Sequence, residues 1–316
     1  METIDSTDQL IVACLRSNPR ATNREVAEEL GVAELTVANR LRRMAEKSQM
    51  RVVAQKHLFA DGHTTICMYF VTTSASTVQE ISQVIAAIAD VFSVSQGMGN
   101  PDIVVMARTA GNAEVHGLAK QIGAIRGVSM VESVVVFAIH KMRTGYGDHA
   151  IEMECPEESS DDLDDRIFAA FRRDGRQSNR EVGRQVGVSE TSIRHRLNKM
   201  LTSGLMQFEV VCHPSFVGMA VIAVGRVQTL PGSAGAIIDR LAESDLVGWL
   251  AETSGEHNIH LILTASSNAE LGDFCDNIIL PLQGLQKLEI QIQVARFKHE
   301  YHLAYFDPRE SIPKRK

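Results

Sequence analysis

Apolar residues near the start of the chain recur at helical spacing in three short runs: Leu10, Ile11 and Leu15; then Val26, Ala27 and Leu30; then Val37, Leu41 and Met44. Three short helices follow from this pattern. Thr22 precedes Asn-Arg-Glu and has Glu25 three residues on, the capping-box arrangement that opens a helix. Gly31 closes that helix, because glycine takes the left-handed backbone of a C-terminal cap, and Val32 can then turn inward. Two helices separated by a short glycine-containing turn are a helix-turn-helix. Beyond it the period changes from helical to alternating. Residues 66–72, 91–97, 102–109 and 128–139 are rich in strand formers, and helical patterns at 76–89 and 112–124 lie between them. The order β-α-β-β-α-β predicts a ferredoxin-like sandwich.

The whole pattern occurs twice. At an offset of 156 residues, segment 8–58 aligns without a gap on 164–214, with Asn23-Arg24-Glu25-Val26 on Asn179-Arg180-Glu181-Val182, Gly31-Val32 on Gly187-Val188, and Arg40-Leu41 on Arg196-Leu197. Ser178 and Glu181 repeat the capping box. Strands near 219–228, 246–253, 258–265 and 286–298, with helices near 233–243 and 267–280, repeat the sandwich. The expected fold class is therefore α+β: two trihelical, winged-type helix-turn-helix domains (1–60 and 164–214) alternating with two ferredoxin-like βαββαβ domains (61–145 and 215–306). An acidic linker at 146–163 joins the copies, and 307–316 is a basic tail.

The third helix of each hairpin is the element that enters a DNA major groove, reading base edges from its exposed N-terminal side chains. In copy two, Ser189 is an N-cap, and Ile193, Leu197 and Met200 point inward. That leaves Glu190, Thr191, Ser192, Arg194, His195, Arg196, Asn198 and Lys199 for double-stranded DNA. The equivalents in copy one are Leu35, Thr36, Ala38, Asn39, Arg40, Arg42 and Arg43. Arginine can grip guanine with two hydrogen bonds, and lysine neutralises phosphate.

A formal net charge of −7 over 316 residues looks wrong for a nucleic-acid binder until its distribution is read. Residues 150–165 hold eight acidic side chains and no Lys or Arg, and they read as a solvated linker. From 166 to 199 nine basic residues oppose three acidic ones, whereas 8–47 sets seven against six. The second hairpin is therefore expected to bind DNA more tightly, since phosphate neutralisation supplies most non-specific affinity. Copy one also has Ala33 where copy two has the capping Ser189, so its recognition helix is less firmly framed. The tail Pro313-Lys314-Arg315-Lys316 reads as a solubilising end.

The remaining features exclude several classes. The longest apolar runs, 131–139 and 219–224, are too short to cross a bilayer, and METIDSTDQL has neither a basic nor an apolar export region, so a cytoplasmic protein is expected. Cys14, Cys67, Cys155, Cys212 and Cys275 are odd in number and contain no CxxC pair, which fits reduced thiols. There is no nucleophile-His-acid arrangement, Walker loop or dinucleotide fingerprint, so neither an enzyme nor a cofactor or metal is expected.

A hairpin reading REVAEELGVAELTVANRLRRM followed by βαββαβ resembles the leucine-responsive regulator/AsnC family, over nearly the whole chain and twice. The resemblance implies a transcription regulator whose RAM-type α/β domains self-associate through their sheets and bind small effectors, often amino acids, near a Gly-x-x-Asp turn. Here that turn is Gly99-Asn100-Pro101-Asp102, which assigns effector roles to Gly99, Asn100 and Asp102, with Ser133 on the last strand. Copy two has Gly255-Glu256-His257-Asn258, so Gly255 and Asn258 stand in an altered pocket. Two fused copies could form a pseudo-dimer that tethers unequal readers and favours an asymmetric operator, and the resemblance equally allows higher association. Siroheme decarboxylases are similar in using the same domain pair. They would require histidines and arginines lining a tetrapyrrole pocket, and His57, His116, His140, His213, His257, His260, His299 and His302 are scattered. The chain has SQGMGNPD where a Tyr-Arg-Arg cluster is associated with those enzymes, so this is the alternative, not the leading reading.

Overall fold

The structure is a computed structural model, and it describes residues 5–47, 49–57, 59–74, 77–144, 147–148, 159–213, 216 and 218–299. Most of the expected acidic linker, all of the basic tail, Cys155, His302 and the side chain of His299 lie outside the described residues.

Each copy opens with a three-helix unit. Copy one has α1 (Ser6–Ser17), α2 (Asn23–Leu30) and α3 (Glu34–Glu46); copy two has α6 (Asp162–Arg173), α7 (Asn179–Val186) and α8 (Glu190–Thr202). α6 begins inside the segment read as linker. Asp161 is its N-cap, accepting from the Leu163 and Asp164 amides, and Asp164 reaches back to close a capping box. Carboxylates are stabilised there by the positive end of the helix dipole, so this part of the acidic run builds a helix start. Counting from 161 to 199 therefore sets nine basic residues against seven acidic ones, and the expected net +6 shrinks to +2.

A strand follows each hairpin that the alternation in MRVVAQK and MQFEVVC could have signalled: β1 (Met50–Lys56) and β7 (Met206–Cys212). They pair antiparallel, with Val53 opposite Glu209. Those two residues are themselves 156 apart, so a pseudo-two-fold axis passes through this pair. The hairpins consequently share cores. Val210, Val211 and Cys212 pack with α1–α3, while Ala54 packs with α6–α8. Two reciprocal contacts tie them further. Arg20 donates to the carbonyls of Gly175 (2.8 Å) and Gln177 (3.2 Å) and to Asn179 Oδ1, and lies over the rings of Phe171 and Phe208. Its counterpart Arg176 donates to Asn23 Oδ1 at 2.9 Å.

The βαββαβ units follow the expected order. Copy one has β2 (Thr65–Thr73), α4 (Val78–Ala86), β3 (Val91–Gly97), β4 (Ile103–Thr109), α5 (Asn112–Gly123) and β5 (Val128–Thr144), and the short β6 (Gly147–Asp148) pairs with β5. Copy two has β8 (Val221–Thr229), α9 (Ala234–Ala242), β9 (Val247–Thr253), β10 (Ile259–Ala265), α10 (Asn268–Phe274) and β11 (Leu285–His299). One difference breaks the offset. Gly127 and Gly284, both at positive φ, are 157 apart, and the extra residue is absorbed by the π-helical turn Cys275–Ile279 after α10. Every position in β11 is therefore displaced by one from its partner in β5.

The two sheets close on each other. Their orders are β5-β2-β4-β3 and β11-β8-β10-β9, and because β3 pairs with β11 while β5 pairs with β9, eight strands form a ring. Strand alternation sorts side chains between its faces. Cys67, Tyr69 and Val71 of β2 pack beneath α4 and α5, whereas Ile66, Met68 and Phe70 point into a core shared with Val224, Trp249 and Ala251 of copy two. Neither sheet could stay exposed in water with that inner face, since each large apolar side chain left uncovered costs about 1.5–3 kcal/mol.

Candidate functional site

The hairpin geometry is set by caps. Thr22 Oγ1 accepts from the Glu25 amide at 3.2 Å while Glu25 Oε2 accepts from the Thr22 amide at 2.6 Å, and Ser178 with Glu181 does the same. Gly31 and Gly187 take φ of 66° and 81° at the turns. Ser189 caps α8 by accepting from the Ser192 amide, but Ala33 offers α3 no side-chain cap. Val37 and Met44 of α3, and Ile193, Leu197 and Met200 of α8, are buried in their hairpins. Thr191, Arg194, His195, Asn198 and Lys199 stand exposed on α8, as do Leu35, Asn39 and Arg42 on α3, with Thr36 and Ser192 half-buried.

Arg40 and Arg196 are placed differently from the base-edge role expected of them. Arg40 Nη1 donates to Asp5 Oδ2 at 2.5 Å and Asp8 Oδ1 at 2.9 Å; Arg196 Nη1 donates to Asp161 Oδ2 at 2.7 Å and Asp164 Oδ1 at 2.9 Å. Arg43 also binds Asp8. Asp8 and Asp164 are buried, so each arginine clamps the recognition helix onto the start of the hairpin's first helix. Hydrogen bonds from Arg40 and Arg196 hold the carboxyls of Asp5 and Asp161 below the usual range. Sequence spacing could not show this, because the partners lie more than thirty residues apart.

The turns before β4 and β10 are built alike. Asp102 Oδ2 accepts from the Thr73 amide (2.6 Å) and hydroxyl (2.9 Å), and Asn258 Oδ1 accepts from the Thr229 amide at 3.0 Å. Both side chains fasten the turn to the end of the unit's first strand, a job that needs only an acceptor oxygen, so asparagine replaces aspartate without loss of structure. Gly99 and Gly255 take φ of 109° and 101°, Asn100 accepts from the Thr72 hydroxyl, and Gly99 and Asn100 are exposed. Each turn is completed by the last strand of the other copy. The Met98 amide donates to the Ile292 carbonyl and Gln291 donates to the Pro101 carbonyl, while Val135 and Ser254 exchange two bonds of 2.9 Å. Ser133 is exposed on β5, opposite Tyr69 of β2 and two residues from the Val135 that binds Ser254.

Between the sheets lies a polar group that sequence reading did not assemble. Arg226 donates to Glu132 Oε2 at 3.1 Å, binds Glu289, and lies 4.9 Å over the Phe70 ring; His260 stacks on the same ring at 5.1 Å and its Nδ1 lies 2.7 Å from Thr253 Oγ1. His257 Nε2 is 3.6 Å from Glu289. Burial, then the charge of Arg226, pushes His260 down to about 3 and lowers His257 as well. Among the described residues these two histidines come together, whereas the others named in the sequence do not join them. No group of three or more His, Cys, Asp or Glu that could hold a metal is present among the described residues, and no described helix is long and apolar enough to cross a membrane.

Two hairpins with exposed third helices, each leading into a ferredoxin-like domain, define a duplicated helix-turn-helix and α/β architecture. The AsnC-type helix-turn-helix domain matches the chain at residues 4–45 and again at 161–201. An uncharacterised HTH-type transcriptional regulator of Pyrococcus furiosus is 32% identical over 142 residues, 45% of this chain and 96% of that protein. The regulator Ptr1 of Methanocaldococcus jannaschii is 27% identical over 139 residues, 44% of this chain and 94% of its own. The chain thus belongs to the leucine-responsive regulator/AsnC family of transcription regulators, in tandem-duplicated form. Each relative spans about half of it. Over the whole chain, the crystal structure of the siroheme decarboxylase NirDL superposes with a TM-score of 0.65, covering 95% of this chain and 94% of that one at 12% identity. That likeness is one of fold.

Proposed function

We propose that the protein is a sequence-specific DNA-binding transcriptional regulator whose hold on DNA is modulated by a small effector such as an amino acid. In this reading the hairpin units, 1–60 and 164–214 with the first turn of α6 added, are the DNA-reading heads. The α/β units, 61–145 and 215–306, sense the effector and carry self-association. The observation that carries it is the set Thr191, Arg194, His195 and Lys199, exposed on a helix whose start is capped by Ser189 and whose inner face is committed to the core. Arginine and lysine there meet guanine edges and phosphates.

The composite turns support effector control. The first turn is bonded to β11 through Met98 and Pro101, and the second to β5 through Ser254 with Gly255 beside Val134, so a ligand held by Gly99, Asn100 and Asp102, or by Gly255 and Asn258 with Ser133 nearby on β5, would lie close to both copies. Asp102 Oδ2 is committed to Thr73, which leaves Oδ1 to receive an ammonium group. Such a ligand would favour one arrangement of the paired domains over another. The test is binding of the protein to its own upstream DNA across a salt series, comparing wild type with Arg194→Ala/Lys199→Ala and repeating with each amino acid. Salt-sensitive binding weakened by the double substitution, and changed by one of the amino acids, is expected. Absence of binding to any genomic DNA at low salt refutes the reading.

A further inference from the structure

The two reading heads are joined through the β1–β7 pair but are not chemically equal, and the inequality is concentrated on the helices that would meet DNA. The first helix of a helix-turn-helix crosses the phosphate backbone. In copy one this is α2, where exposed Arg24 pairs with Glu28 at 2.7 Å and Glu29 follows, so the face it would turn to phosphate carries net negative charge. In copy two it is α7, where Arg184 and Gln185 stand at those acidic positions. Arg180 and Arg184, four residues apart, are both exposed, and the one carboxylate on this helix, Glu181, is engaged with the Ser178 amide and hydroxyl in the capping box. α2 carries one basic and three acidic residues; α7 carries two and one.

The recognition helices diverge in the same way. α3 presents Leu35, 68% exposed, together with Asn39 and Arg42. At the matching positions α8 presents Thr191, His195 and Asn198, and Arg194 stands where copy one has Ala38. An exposed leucine on a recognition helix suits the thymine methyl, asparagine pairs with the adenine edge, and arginine pairs with guanine. The β1–β7 pairing and the reciprocal Arg20–Asn179 and Arg176–Asn23 contacts hold both heads in one frame.

We infer that the chain docks on duplex DNA with fixed polarity: copy two, through Arg180 and Arg184 on phosphates and Arg194 on guanine, anchors a G·C-containing half-site, and copy one reads an A·T-rich half-site through Leu35 and Asn39. This rests on the DNA-binding reading above and adds the half-site chemistry and the phosphate-gripping residues.

The experiment selects bound sequences from a random duplex pool with the full chain, then measures affinity and its salt dependence on the selected site. A non-palindromic consensus with unlike halves is expected. Arg180→Ala/Arg184→Ala should weaken binding at least tenfold and reduce the salt slope by about 2, whereas Arg24→Ala changes affinity less than twofold. Glu28→Arg, a gain on a solvent-facing position that does not depend on damaging the fold, should tighten binding and steepen the slope by about 1. A palindromic consensus, or equal losses from Arg24→Ala and the α7 pair, overturns the inference while leaving DNA binding intact. If no sequence is recovered, the DNA-binding reading itself fails.

Discussion

Phe70 and Arg226 occupy the same position in the two copies, and they stack on one another with the guanidinium 4.9 Å from the ring centroid. Their cross-strand partners are also counterparts: Phe70 faces Glu132 on β5, and Arg226 faces Glu289 on β11. Two equivalent glutamates therefore share a single arginine, because the position that would hold the second is aromatic. The duplicated sheets have diverged at their common centre into a complementary pair.

Replacing Arg226 by Leu should destabilise the protein by about 2 kcal/mol, since Glu132 loses its cation while partly buried and Glu289 keeps only Lys287, 2.6 Å from its Oε1. Adding Glu132→Gln and Glu289→Gln should recover most of that loss. Urea unfolding of the single and triple variants checks this, and a triple variant no more stable than the single would contradict it.

His260 gives the stability a sign with pH. Its folded value, pushed down to about 3 by burial, is below the 6.5 of an exposed histidine, so the fold prefers the neutral ring. That contribution is complete above pH 6.5 and is lost as pH falls from 6.5 toward 3. Between pH 6.5 and 5 it should cost on the order of 1–2 kcal/mol. The unfolding midpoint measured at pH 7, 6 and 5 should fall, and His260→Gln should flatten the decline.

Arg194 and Arg196 separate reading from framing. Arg194→Ala should lower DNA affinity and leave the melting temperature within about 1 °C, because its contact with Glu190 is an exposed pair worth little. Arg196→Ala leaves Asp164 buried without its cation and should lower stability by about 1–3 kcal/mol. Parallel melting and binding measurements distinguish them; equal melting temperatures for both variants would refute the clamp.

The uncapped start of α3 can be repaired. Ala33→Ser should stabilise copy one by about 1 kcal/mol, and Ser189→Ala should cost copy two a similar amount. Chemical denaturation reads both changes.

The sequence by itself determined the duplication, the three-helix hairpins and the βαββαβ order. Capping boxes, helix-ending glycines and hydrophobic periods act between residues a few positions apart, so Thr22–Glu25 and Ser178–Glu181 are readable in one dimension. It also marked the outward faces of α3 and α8, since these are what remains after Val37, Met44, Ile193, Leu197 and Met200 go to the core. Tertiary structure alone decided what required distant partners. It showed that Asp161 to Asp165 start a helix instead of extending a linker, and that Arg40 and Arg196 clamp one helix to another. It showed too that Val135 binds Ser254 in the other copy's turn, and that Arg226 serves two glutamates. Such choices are made by burial and charge between chain segments far apart in sequence. A local pattern reports how a residue is oriented on its own element, but not what the fold brings against it.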